Sequence, residues 1–566
     1  ADRLFDALRP LVGLPGEMLP AEEAEGAWRR FLIALAARRP TVLVFEDLHW
    51  ADAAMLRFVE LLGSGAKDVP LLVLCTARPE LTDRHPGWAG SAAVSLTITL
   101  PPLRDAGIRS LFAHMFGTAD IPLSRIDRLV ELAGGNPLYA QEYVRMLVEQ
   151  GVAAKGEHSA SFDPPMPDSV HAVIANRVDL LDPRDRAVLL AAAVVGMQFW
   201  PGAVAAALNQ PVDTVEAAFR RLEQRDFVHL QSSTSMDGQP EFQFRHILVR
   251  DVCYLRLPRM ERVAQHTRAA DWLDAQSQER DTDLAEVIAH HRWAAHEVAR
   301  TLGLDTSVHA RVAQSALHRA ARRAYALHAF DVAAQHVTRA LALPTGDPLS
   351  RLHLELLNAE IDLHRAGPLE QSDTERLAAL ADQLLALDDR QGAARAWTLL
   401  GQVAWLRADR MEALSCLGRA VRLFSGLPDT AAKAEAYAEL GRLHMLNYER
   451  DSAIAAAGTA AAIAGRLGLI EVQANAQITM AVARYQAGDP GGLAALQDAT
   501  DFCRDRRLLA LPRAIQNLAY AVREEGDWLR SDALLSDVAG NALATGYSGE
   551  AMRAYFEGDF NRLLAA

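Results

Sequence analysis

The chain has 566 residues, half of them hydrophobic and 23% charged, with 58 Lys and Arg against 72 Asp and Glu for a net charge of −14. That length exceeds one hydrophobic core and fits three or four domains of ~150 residues each. The acidic balance argues against broad, sequence-independent nucleic-acid binding, and no apolar run reaches the ~18 residues of a membrane span.

Residues 1–154 read as α/β. Helical patterns at Trp28–Ala37, Ala53–Leu62 and Asp105–Phe116 alternate with strand candidates at Thr41–Glu46, Pro70–Thr76 and Val94–Leu100. The first two strands are nearly continuous apolar runs, as expected of parallel strands covered on both faces. The stretch Lys155–Pro167, with Gly156, two serines and three prolines, reads as a linker. Over 168–280, short helices precede a strand pair, Phe227–Gln231 and Glu241–Phe244, joined by a polar turn with Asp237-Gly238; this order suits a winged helix. Residues 281–566 read as all-α and repetitive. Trp397-Thr-Leu-Leu-Gly401 and Tyr437-Ala-Glu-Leu-Gly441 stand 40 residues apart, followed at matching offsets by Ala413/Ala453 and Ala420/Ala460. Small residues at those offsets let paired antiparallel helices approach closely, the mark of a tetratricopeptide (TPR)-like solenoid. Weaker copies lie at Ala333/Ala340, Met480–Tyr485 and Leu518–Val522. Cys75, Cys253, Cys416 and Cys503 lack CxxC spacing and read as reduced core thiols of a cytoplasmic protein. The first residues form no signal peptide and lack a starting Met, which reads as a piece of a longer protein.

Chemistry concentrates in "TVLVFEDLHWAD", residues 41–52, where a buried-type strand ends in Glu46-Asp47. In open parallel sheets ligands bind beyond the carboxyl ends of the strands, and acids there suit a hard, oxygen-ligated cation such as Mg²⁺. Asp52 precedes an amphipathic helix and could equally be its N-cap. In the candidate recognition helix Val212–Gln224, Arg220, Arg221 and the following Arg225 are matched by Asp213, Glu216 and Glu223, so the surplus positive charge of a DNA-reading helix is missing. His290, His291 and His296 lack the i, i+4 spacing and acid of a metal motif and read as packing or solvated histidines.

"VLVFEDLHWAD" resembles the Walker B segment of STAND-class ATPases, signal-transducing P-loop NTPases with helical repeats. It is most similar to the ATPase modules that follow adenylate/guanylate cyclase domains in large bacterial regulators. "LLVLCTARPEL" (71–81) resembles the next strand of that family, with Arg78 matching the arginine that approaches the terminal phosphate. "AGGNPLYAQEYVRML" (133–147) resembles the GxP element, with Pro137 packing near adenine; in "FRHILVRDVCY" (244–254), His246 matches the winged-helix residue that senses the β-phosphate of ADP. The resemblance implies a P-loop NTPase core, a winged helix and a TPR sensor. By it, Glu46 holds Mg²⁺, Asp47 polarises the attacking water, and ATP or ADP is the bound nucleotide. The division of labour between the two acids stays open, because the family more often has Asp first. His49 and Trp50 pack the turn.

One part is missing. No Gly-Lys-Ser or Gly-Lys-Thr occurs, so there is no G-x-x-x-x-G-K-[ST] loop to cradle phosphates, and the core reads as truncated upstream. Two functions therefore stand side by side. One is a nucleotide-dependent signalling module, with ATPase activity expected in the intact parent and weak or no ATP binding in this chain. A protein or small-molecule effector would dock on its TPR surface, and its open state could form a homo-oligomer. The other is a non-enzymatic TPR scaffold with a degenerate ATPase remnant. A DNA-binding regulator is a third and would need a basic helix-turn-helix that "YFEGDFNRLLAA" at the C-terminus does not supply.

Overall fold

The computed structural model describes residues 21–51, 53–65, 69–88, 95–116, 123–149, 169–236, 238–277, 284–327, 329–366, 371–506, 508 and 510–545. The expected linker, Asp52, Asp237 and the C-terminal dodecapeptide lie outside these residues. The chain divides into two compact units, one drawn from 1–95, 321–341 and 346–566, the other from 96–320 and 342–345.

In the first unit, α1 (Ala21–Arg38) leads into β1 (Thr41–Phe45), a 3₁₀ turn at Leu48–Trp50, α2 (Ala53–Gly65), β2 (Leu71–Cys75) and α3 (Glu80–Arg84). The strands pair in parallel from Thr41↔Leu71 to Phe45↔Cys75, which requires a crossover such as α2. Phe45 and Cys75 pack with Leu48, Leu56, Leu81 and Trp88 into a small core at the strands' carboxyl ends. The opposite face is open: Val42, Val44, Leu72 and Leu74 are each at least 50% exposed. The expectation of a sheet covered on both faces is thus corrected, since no described element packs over these side chains. The third expected strand, Val94–Leu100, is corrected too. Residues 95–100 form no strand, and Leu96, Ile98 and Leu100 project into solvent. Alternating hydrophobicity makes a strand only where a neighbour takes up its backbone groups, and no described segment does.

The second unit begins with α4 (Asp105–Phe116), α5 (Leu123–Ala133) and α6 (Pro137–Glu149), whose apolar stripes meet around Phe112, Tyr139 and Tyr143. Next come α7 (Val170–Asp179), α8 (Pro183–Val195), β3 (Gln198–Phe199), α9 (Pro201–Leu208), α10 (Val212–Gln224), β4 (Val228–Leu230) and β5 (Phe242–Phe244). The strands form an antiparallel sheet in the order β3-β5-β4, the expected pair plus a two-residue strand too short to read from sequence. Phe199, Phe219, Phe242 and Phe244 pack ring against ring between this sheet and α10. The unit continues through α11 (Ile247–Arg256), the hairpin of α12 (Arg259–Gln276) and α13 (Ala285–Thr301), and α14 (Ser307–Ala326), whose last turns enter the first unit.

The rest of the first unit is a helical solenoid: α15 (Phe330–Leu341), α16 (Pro348–Ala366), α17 (Gln371–Ala386), α18 (Arg390–Leu406), α19 (Arg410–Phe424), α20 (Ala431–Leu446), α21 (Arg450–Leu467), α22 (Ile470–Gln486), α23 (Gly492–Arg506), α24 (Leu511–Glu524) and α25 (Trp528–Thr545). Asp389 and Asp409 cap their helices through the N–H groups of Gly392 and Glu412 at 2.9 and 3.0 Å. Left-handed residues break the chain between helices at Asp388, Ala408, Tyr448, Gly468 and Gly488. The repeat glycines sit where helix pairs touch. A Cβ on Gly401 would lie 2.7 Å from the Leu417 side chain, and one on Gly441 would lie 2.9 Å from the Ala457 backbone nitrogen. Among the described residues no helix is long and apolar enough to cross a membrane.

Candidate functional site

The carboxyl end of β1 departs from strand geometry at one residue. Asp47 adopts φ 57° and ψ 37°, the left-handed region that side chains seldom occupy. Its N–H donates to Thr76 Oγ1 at 3.0 Å. Leu48 N–H donates to the Thr76 carbonyl, and Thr76 N–H donates back to the Phe45 carbonyl, both at 2.9 Å. These bonds clasp the ends of the two strands and fix the backbone on either side of Asp47. A left-handed L-residue costs roughly 1–2 kcal/mol, and the clasp over-determines it. The Asp47 side chain is 70% exposed, with buried His49 Nδ1 3.9 Å from its carboxylate. The His49 carbonyl accepts a bond from the Arg84 guanidinium, which closes the turn against α3. Glu46 is also exposed. Arg78 stands three residues past β2, exposed, and no described residue bonds or ion-pairs with its guanidinium. Glu46, Asp47 and Arg78 thus share the carboxyl edge of the β1–β2 pair.

Pro137 and His246 belong to the second unit. Gly134 and Gly135 are both left-handed, and Gly135 presses so closely on Pro102 and Leu103 that a Cβ would lie 2.6 Å from the Pro102 side chain. Asn136 then caps α6, its Oδ1 accepting from Leu138 N–H at 2.9 Å, with Pro137 exposed in the first helical turn, where its missing N–H costs nothing. His246 is half-buried at the junction of β5 and α11 and is itself an N-cap: its Nδ1 accepts from Leu248 N–H at 3.0 Å. In the neutral ring that bond leaves the proton on Nε2, which donates to no described residue.

Sequence reasoning missed the charged core that ties these elements together. Arg177, wholly buried on α7, ion-pairs with Glu142 and places its Nη2 2.7 Å from Glu149, both on α6. It also donates to the Arg225 carbonyl at 2.7 Å and lies over the Phe227 ring at 4.3 Å. Burial opposes its charge, but the hydrogen bonds to Glu149 and the fields of Glu142 and Glu149 outweigh that and hold it above an ordinary arginine. A second link runs from Arg145 on α6 to Asp226 at 3.3 Å, and from Asp226 to Arg245, the residue before His246, at 3.2 Å. The available signal was Glu142 and Glu149, seven apart on an otherwise apolar helix face.

The arginines of the expected recognition helix are engaged. Arg221 holds Asp185 at 2.6 Å and Arg220 lies 3.6 Å from Glu216. His291 and His296 are buried, and no described cluster of three His, Cys, Asp or Glu could hold a metal. The four cysteines form no disulfide; Cys253, Cys416 and Cys503 are buried and Cys75 is half-buried, with burial raising each thiol.

No family model matches the chain. An uncharacterized protein of Rhizobium meliloti (strain 1021) is 25% identical over an alignment of 287 residues that covers 47% of this chain. The chain covers 26% of that relative, about a quarter of its length. The signal transduction ATPase with numerous domains (STAND) protein with a tetratricopeptide repeat sensor from Pyrococcus horikoshii aligns over 96% of this chain and 81% of its own, at 12% identity and a TM-score of 0.51. Aspartyl phosphate phosphatase F from Bacillus subtilis aligns over 79% of this chain and 95% of its own, at 10% identity and a lower TM-score of 0.38. The chain therefore has a STAND/TPR-like fold, mostly helical with a small parallel sheet.

Proposed function

We infer that the chain is the switch and sensor portion of a cytoplasmic nucleotide-dependent signal-transduction regulator, with a partner-binding helical repeat. Asp47 carries the reading: an acidic residue held in a strained left-handed conformation just past β1, with Glu46 beside it and Arg78 three residues past β2. Strain of this kind is retained where a site needs it. The donor set fits Mg²⁺, which takes oxygen ligands from one or two carboxylates and keeps several waters. Glu46 and Asp47 would hold the ion, which would neutralise phosphate charge when bound. Asp47 would orient the attacking water, and Arg78 would supply positive charge toward a terminal phosphate. The chain does not fit the phosphates themselves, for want of a G-x-x-x-x-G-K-[ST] loop. Read by the same resemblance, the second unit is a helical GxP region with a winged helix, Pro137 reading adenine and His246 the β-phosphate of ADP. A switch of this type needs about 5.5 kcal/mol of differential affinity to move from 1:99 to 99:1. Its output domain, a cyclase by resemblance, would lie elsewhere in the regulator.

On this reading the chain alone shows no micromolar, Mg²⁺-dependent affinity in a fluorescent-ATP titration. Extended upstream to include a P-loop, it hydrolyses ATP, and Glu46→Gln and Asp47→Asn each slow turnover without unfolding it. Unchanged turnover in both variants would refute the Walker B assignment. The missing loop favours a second reading for the chain by itself, a non-enzymatic interaction scaffold. DNA binding is disfavoured by the internal pairing of Arg220 and Arg221.

A further inference from the structure

The first helices of successive solenoid pairs meet one another along one face, and that face carries two charges, Glu435 and Arg513, with no ion-pair partner among the described residues. Along α20, Glu435, Glu439 and Arg442 form an i, i+4, i+7 row. At one end of the row stand Tyr325 from α14, Glu360 from α16 and Arg395 from α18. Arg395 is taken by Glu360 at 2.7 Å, so Glu435 is left with no ion pair among the described residues. Glu435 is exposed on this face. Partial desolvation, then the field of Glu360, raises its carboxyl above the ordinary range.

At the other end, Arg513 of α24 reaches across to α22. Its Nη1 donates to the Asn475 carbonyl and Oδ1 at 3.1 and 2.8 Å, and its Nη2 donates to Thr479 Oγ1 at 2.8 Å. All three acceptors are neutral, and no described carboxylate lies within ion-pair distance. Desolvation and then the field of Arg442 push Arg513 down to about 10. Arg442 itself is 3.6 Å from Glu439, a loose pairing, and its side chain is 39% exposed. A desolvated guanidinium fixed by amide and hydroxyl groups, with N–H donors to spare, is a preformed receptor for a planar anion.

We propose that this row binds an extended peptide segment, its carboxylate on Arg513 and Arg442 and a cationic group about three residues away on Glu435. The spacing comes from the helix. Seven residues from Glu435 to Arg442 rise about 10 Å, which extended backbone at ~3.3–3.6 Å per residue covers in about three residues. A single amino acid holds its two charges too close together to reach both ends. Inorganic phosphate would satisfy the Arg513 end alone.

This inference rests on reading the solenoid as a partner-binding surface. It is tested on the full chain by fluorescence anisotropy, with a library of labelled tetrapeptides bearing an N-terminal Lys and a free carboxylate. The comparison arms are the C-terminally amidated library, the library with Lys replaced by norleucine, and inorganic phosphate as competitor. Binding is expected to weaken at least about tenfold on amidation and in Arg513→Gln. It should weaken likewise on loss of the Lys charge and in Glu435→Gln, a position that forms no described bond and leaves the fold undisturbed. Peptides that bind regardless of their end groups would overturn the charge-matched site and leave the partner surface standing. Peptides that do not bind would overturn both, and full competition by millimolar phosphate would reduce the site to an anion site. None of these variants touches Glu46, Asp47 or Arg78, so the nucleotide assignment is judged separately.

Discussion

Replacing Arg177 with alanine removes the one cation shared by Glu142 and Glu149. Glu142 keeps Arg145 at 2.7 Å, whereas Glu149 has no other described partner, and the Arg225 carbonyl loses its donor. Both carboxylates are nearly inaccessible, with side chains 2% and 10% exposed. Water can therefore repay little of the loss. Breaking a buried ion pair from one side costs about 3–5 kcal/mol, and the residual Arg145 contact places this case at the lower end. Arg177→Lys should recover only part, because an ammonium cannot serve two carboxylates and a carbonyl with the geometry of a guanidinium. Native-state hydrogen exchange of α6 and α7 is the assay, since it reads local opening in a two-unit chain where a global unfolding curve is not two-state. Protection in these helices should fall by about two orders of magnitude, following 1.4 kcal/mol per decade. The triple variant Arg177→Met, Glu142→Leu, Glu149→Leu should restore most of it, because apolar replacements remove the stranded charges. A loss of protection below about fivefold in Arg177→Ala, or no recovery in the triple variant, would refute the reasoning.

Three further outcomes are expected. Thr76→Val should cost about 1 kcal/mol by stripping the acceptor from Asp47 N–H, while Asp47→Gly should stabilise the same turn by releasing left-handed strain; exchange at Asp47, Leu48 and Thr76 reads both signs. In the solenoid, Gly441→Ala should destabilise more than Gly401→Ala, because the added methyl meets backbone at Ala457 but only a movable side chain at Leu417; urea unfolding monitored by helicity would rank them. Buried His266 and His291 face each other at 2.9 Å between Nδ1 atoms, with Tyr254 OH 3.1 Å from His266 Nε2 and with His290, Arg250, Arg262 and Arg292 nearby. Burial and then the field of His290 push His266 down to about 3, and burial and the field of His266 depress His291. A depressed folded-state value means stability that is complete above the unfolded histidine range near 6.5 and lost as pH falls toward the folded values. Protection of α12 and α13 should thus be flat above pH ~7 and decline below ~6.5, by up to about 1.4 kcal/mol per pH unit for each histidine; a slope unchanged in His291→Asn would count against the pair.

Much of the architecture was legible because it is periodic. The Trp/Tyr-x-x-L-G spacing announced the helix pairs, and Gly401 and Gly441 occupy the contacts that the spacing implies. The position of Glu46-Asp47 at a strand end was equally readable, since β-branched and apolar residues stop abruptly there. What sequence hid was whatever depends on a distant partner. Alternation at 94–100 predicted a strand, yet the described chain offers no neighbour to take its hydrogen bonds. Arg177 sits among valines and an isoleucine in a helix whose pattern gives no hint that two acids wait 28 and 35 residues upstream. The left-handed turn at Asp47 needed Thr76, 29 residues on, to become visible.

The left-handed breaks at Asp388, Ala408, Tyr448, Gly468 and Gly488 fall at intervals of twenty or forty residues. Because each pair touches mainly its neighbours, the solenoid is a ruler graduated in forties. Inserting or excising forty residues would change its length and keep every later helix in phase. A change of twenty would exchange first helices for second ones downstream and turn their side chains to the opposite face. Reach along this surface, including the interval between Glu435 and Arg513, is therefore adjustable only in whole repeats.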